Sequence, residues 1–144
     1  MSSAEQQDYQ RILAEDTGNF SSNVVEPKIE ELRDKSPVLL ALQYPSIGNP
    51  YATGSQTRLQ FSGRTGHLYR EIRFSHDNAH FEGYDPKEIE NKPVLVAGLF
   101  LSRGIVDYLR PLRDEHNADS VYFAFRLPYT GILTLEEIEE KFSV

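Results

Sequence analysis

Between Thr57 and Tyr84 polar and apolar residues alternate in short runs broken by turns, and this pattern constrains the fold more than any other stretch of the chain. Residues 57–62 set Leu59 and Phe61 against Arg58 and Gln60. Gly63-Arg64-Thr65-Gly66 follows as a turn signal. Residues 67–75 alternate again, with Leu68, Ile72 and Phe74 opposite His67, Tyr69, Glu71 and Arg73, while Arg70 falls on the apolar side. After a second turn at His76-Asp77-Asn78, residues 79–84 form a third run through Ala79, Phe81 and Gly83. A period of two marks a strand with one buried and one wet face, because successive side chains point to opposite sides. Short turns between such runs predict a three-stranded antiparallel meander.

The flanking segments add helices and further strands. Residues 3–16 read as an amphipathic helix, with capping-box spacing at Ser3 and Gln6 and an apolar edge of Tyr9, Ile12 and Leu13. Residues 17–25 read as a polar loop, after which Pro27 suits a first helical position and Ser36-Pro37 an ending. Residues 38–44, VLLALQY, form an unbroken apolar run between two prolines and predict a buried strand. Residues 94–100 fit a buried strand followed by a helix over 102–116, or the start of one long helix that Gly98 and Gly104 disfavour. With the strand, 94–127 becomes a βαβ unit ending in the aromatic strand SVYFAFRL. Thr134 and Glu137 predict a capping box opening a terminal helix, with Leu135, Ile138 and Phe142 facing inward. The expected fold class is α+β, an antiparallel meander sheet of about four to six strands flanked by N-terminal, central and C-terminal helices. One domain is expected over 1–144, with 1–36 helical and 37–144 forming the sheet and its packed helices.

Composition narrows the function. The absence of cysteine excludes disulfides, thiolate metal sites and cysteine nucleophiles. The N-terminus is polar and acidic, unlike a signal peptide, and the run at 94–101 is far short of the ~20 apolar residues of a membrane helix. A soluble cytoplasmic protein without membrane contact is expected. The net charge of −7 disfavours general nucleic-acid binding. It is unevenly spread, since residues 57–76 carry four arginines and a single acid. Nucleic acid therefore stays open only through 57–76, and self-association is left open.

That basic stretch supplies the candidate site: Arg58, Arg64, His67, Tyr69, Arg70 and Arg73. Arginine forks match carboxylate and phosphate, and histidine and tyrosine add donors. His76, Asp77 and His80 offer metal-ligating atoms, but a short turn would aim the two rings apart, so no metal is expected. His67 or His116 with Glu71, Asp77 or Glu82 could form an acid–base set only around a pocket that the sequence does not define. No cofactor motif and no catalytic signature is found. The main expectation is a small non-catalytic interaction factor, of the accessory, adaptor, inhibitor or immunity type. It would bind a protein partner through the Arg/Tyr/His sheet face or its acidic helices. The alternative is an enzyme or ligand-binding protein that uses Arg58, His67, Arg70 and Arg73 for a phosphorylated or carboxylated small molecule.

Overall fold

The computed structural model describes residues 19–43, 68–75 and 80–144. The expected helix over 3–16, the strand over 57–62 and its turn lie outside them.

Six strands form one sheet: β1 (Val38–Gln43), β2 (Leu68–Ser75), β3 (His80–Glu82), β4 (Pro93–Ala97), β5 (Ser120–Phe125) and β6 (Gly131–Thr134). Their order is β3-β2-β1-β4-β5-β6. β1 pairs parallel with both β2 and β4, and β4 pairs parallel with β5. Only the two outer pairs, β2 with β3 and β5 with β6, are antiparallel. This corrects the expected fold class. The sheet is mixed and mostly parallel, an α/β arrangement rather than an antiparallel meander. The β2–β3 hairpin is present, but β2 spends its other edge on β1, at a register of Val38 with Leu68.

Helices occupy both faces. On one face lies α1, a helical run over 19–31 that is π-helical at Ser21–Val25 and α-helical over Glu26–Glu31. On the other lie α2 (Pro86–Ile89), α3 (Val106–Asp114, entered through a 3-10 turn at Arg103–Ile105) and α4 (Leu135–Lys141). The alternation of each strand sorts its side chains between two cores. Val38, Leu40 and Leu42 of β1, Val94 and Val96 of β4, and Val121, Phe123 and Phe125 of β5 pack with Val106, Leu109, Leu112, Leu135 and Ile138. Leu39 and Ala41, Leu95 and Ala97, and Ala124 pack with Phe20, Val25 and Ile29 of α1. Ala41, Ala97 and Ala124 are register neighbours across three strands. This row of methyl groups leaves room for the bulkier side chains of α1. Burial on both faces is why β1 and β4 read as continuous apolar runs rather than alternating ones.

The polar loop expected at 17–25 is corrected over its described part, because Phe20 and Val25 are buried helical residues. The wide turn, with the Glu26 N–H donating to the Ser21 carbonyl, comes just before Pro27. Proline lacks the N–H of a regular helical bond and clashes with the carbonyl four residues back, so a widened turn there accommodates it. The strand alternative at 94–100 is the one adopted, and β4-α3-β5 is a βαβ unit.

At the C-terminal end the expected capping box is complete. Thr134 Oγ1 accepts from the Glu137 N–H at 3.1 Å, and Glu137 Oε1 accepts from the Thr134 N–H at 3.0 Å. A Thr134→Ala variant loses one half of this exchange, and its unfolding midpoint in urea is expected to report about 1 kcal/mol of lost stability. An unchanged midpoint would show that the docked face of α4, not its cap, sets its stability.

Candidate functional site

The strand order reverses between β1 and β4: β1 is followed in sequence by its neighbour on one side, β4 by its neighbour on the other. Both end at the same edge of the sheet, β1 at Gln43 and β4 at Ala97. In open α/β sheets such a reversal leaves a crevice outside the carboxyl ends of the strands, because the two connections depart in opposite directions. This edge is the candidate site.

Beyond the ends of β4 and β5 the backbones stay joined. Gly98 N–H donates to the Ala124 carbonyl at 2.8 Å, and Leu101 N–H to the Leu127 carbonyl at 2.9 Å. The Leu99 carbonyl accepts from both Arg126 and Leu127, at 3.0 and 2.9 Å. The shared segment buries Leu101 and turns out Phe100 (51% exposed), Leu127 (46%) and Tyr129 (49%). Large apolar groups this open are concentrated here among the described residues. Ser102, in extended conformation, then leads into the 3-10 turn and α3. The amino end of that helical segment, with its unsatisfied N–H groups and partial positive charge, therefore lies at the same edge. A Cβ built on Gly104 would meet nothing within 4 Å, so the backbone there is open to close approach.

The charge of this edge differs from that of the whole chain. Residues 97–106 and 125–134 contain Arg103 and Arg126 and no acid, in a protein of net charge −7, and the next acid in sequence is the exposed Asp107 in the first turn of α3. Arg103 is exposed. Arg126 is half-buried, with its guanidinium 5.9 Å from the centre of the Phe20 ring. Burial lowers its hold on the proton, but a guanidinium stays charged at any ordinary pH.

The residues singled out from the sequence are distributed differently. Tyr69 is half-buried and packs against the α1 core. Arg70 is exposed and belongs to the opposite side of β2, where its Nη2 donates to Glu88 Oε1 of α2 at 2.8 Å. On this strand Ile72 is fully buried on one side, and Tyr69 packs on the other. Arg73 pairs in register with Gln43, so its backbone is level with the carboxyl end of β1. Arg58, Arg64 and His67 lie outside the described residues, as do His76 and Asp77, and the side chain of His80 is not described. His116 lies beside Glu115 in a separate cleft, on the outer side of α3. Sequence reasoning marked Tyr129 as an exposed tyrosine but missed Phe100, Arg103 and Arg126 as members of this edge. The one available signal was the acid-free composition of 97–106 and 125–134, and it acquires meaning only once both segments are known to share an edge.

No family model matches the chain, and no curated protein matches it. Among solved structures it is similar to a hypoxanthine-guanine phosphoribosyltransferase from Bacillus anthracis strain Ames Ancestor, at 18% identity and a TM-score of 0.46, covering 81% of this chain and 65% of that one. It is also similar to a hypoxanthine-guanine-xanthine phosphoribosyltransferase, at 16% identity and a TM-score of 0.41, covering 83% and 64%. The chain spans less than two thirds of the length of either.

The expected non-catalytic interaction factor is withdrawn. Within this chain the meander expected to present the partner face is replaced by a parallel pairing of β2 with β1, and Tyr69 of that face packs against the α1 core. On α4, Glu139 is taken up by Arg110 and Arg113 of α3, while Glu136, Glu137 and Glu140 stay exposed. Among the described residues no helix is long and apolar enough to cross a membrane.

Proposed function

We propose that the chain binds a small anionic ligand, a phosphate ester or carboxylate, at the carboxyl edge of its sheet where the strand order reverses. The observation that carries this is the local charge: Arg103, Arg126 and the amino end of the α3 segment belong to two segments, 97–106 and 125–134, that hold no acid, although Asp107 follows in the first turn of α3. Such a field concentrates anions and repels cations held elsewhere on the surface. Arginine adds a fork that matches the oxygens of phosphate or carboxylate. Exposed Phe100 and Tyr129 would flank the apolar part of the ligand.

The test is a thermal-shift titration with inorganic phosphate, pyrophosphate and citrate, on wild type and on Arg103→Gln and Arg126→Gln. A ligand at a hundred times its Kd stabilises the folded state by about 2.7 kcal/mol. Wild type is expected to show a saturable rise with at least one of the three anions, and each variant to need about ten times more of it. A rise that is identical in the variants, or none in wild type, refutes the proposal.

A further inference from the structure

A cleft of about 340 Å³ is lined by residues at the end of β3 and along α3, on the β3 side of the sheet. Its walls are Phe81, Tyr84, Tyr108 and His116, with Pro111 and the carboxylate of Glu115. Phe81 and Tyr108 have ring centres 5.4 Å apart at 32°, and Tyr84 meets His116 edge-on at 6.1 Å. The rings are thus two contacting pairs that wall one space. None of the lining residues is a lysine or arginine. The volume falls within the range of small-molecule sites.

We propose that this cleft binds a small organic cation, an alkylated ammonium group on a compact apolar body. Three features agree on the sign of the charge. Aromatic faces carry the negative lobe of the ring quadrupole and attract ammonium groups, most strongly where water is partly excluded. Glu115 adds a full negative charge at the rim and forms no ion pair among the described residues. Its neighbour Asp114, by contrast, is held by Arg113 at 2.7 Å. Glu115 also stands at the C-cap of α3, where the helix already presents the negative end of its dipole. A carboxylate there is locally unfavourable, and a cation is favoured by both the dipole and the acid. The Tyr84 hydroxyl is held above its ordinary pKa first by burial, and second by the charge of Glu115. An anion would meet the opposite of each term, which separates this cleft from the arginine-bearing edge.

The experiment is an NMR titration of the tyrosine ring resonances with tetramethylammonium, beside its neutral counterpart of similar shape, tert-butanol. Saturable shifts at Tyr84 and Tyr108 are expected with the cation, at an affinity at least about tenfold above that for the alcohol. Glu115→Gln keeps the shape of the wall and removes the charge from an exposed position, so the fold is retained. It should weaken the cation about fivefold and leave the alcohol unchanged. Tyr108→Leu should weaken the cation as well, whereas Glu140→Gln, on the exposed side of α4, should not. Equal affinity for cation and alcohol, an unaffected Glu115→Gln variant, or no saturable shift with tetramethylammonium would overturn the proposal. A failed phosphate titration would not touch it, since the two sites share no residue.

Discussion

Replacing Phe123 by alanine is expected to lower stability by about 3 to 5 kcal/mol, the largest effect of any single change considered. Phe123 is fully buried at the centre of β5 and faces α3 and α4. It stacks on Phe125 at 6.0 Å and stands in register beside Val96 of β4 and Leu133 of β6. Truncation removes the transfer energy of the ring and leaves a cavity whose walls are strands and helices that cannot close in. Domains of this size are stable by roughly 5–15 kcal/mol, so the variant would sit near its unfolding threshold. Phe123→Leu keeps most of the volume and should cost roughly 1 to 2 kcal/mol. Urea denaturation distinguishes the cases: the midpoint should fall in that order with an unchanged slope. A Phe123→Ala variant as stable as Phe123→Leu would mean that the α3–sheet interface can collapse around the gap.

The second large effect concerns acid. Glu139 of α4 accepts from Arg110 Nε at 2.8 Å and from Arg113 Nη1 and Nη2 at 2.6 and 3.2 Å. These bonds hold its carboxyl at a pKa of about 2 against an ordinary 4.5, with Arg113 the larger cause and Arg110 the next. A carboxylate whose pKa is lower folded than unfolded contributes stability above the unfolded value and loses it as pH falls through the folded one. The contribution should therefore be complete above about pH 5 and gone near pH 2. The arginines are about a third exposed, so solvent screens the pair and the expected contribution is roughly 1–2 kcal/mol. Glu139→Gln should be less stable than wild type by that amount at pH 7. The two proteins should converge as pH falls from 4.5 towards 2. Parallel pH profiles would show that Glu139 packs α4 onto α3 without contributing through its charge.

These two predictions draw on different parts of what was legible beforehand. The burial of Phe123 follows from the aromatic run at 120–127 read as a strand. The Glu139 contact does not follow from sequence, because the glutamates of α4 look alike along the chain. Only the docking angle of α4 on α3 brings Glu139, and not Glu140, to two arginines. The same holds for the candidate site. Arg103 and Arg126 are more than twenty positions apart and become neighbours of one edge only through the parallel pairing of β4 with β5.

What the sequence determined by itself was local. The cap at Thr134 and Glu137 is set by side chains three residues apart reaching each other's backbone. The apolar run at 38–43 marked a buried strand, the run at 94–100 left strand and helix both open, and residues 68–82 carried their own hairpin. The tertiary structure decided which strands meet and in which direction. Alternation records how a strand divides its side chains between two faces, but the hydrogen bonds along its edges belong to the backbone and carry no residue code. β2 could therefore satisfy the same pattern in a meander or beside β1. It lies beside β1, where Leu68 and Ile72 join one core and Tyr69 the other. That choice created the strand reversal on which the anion site is proposed.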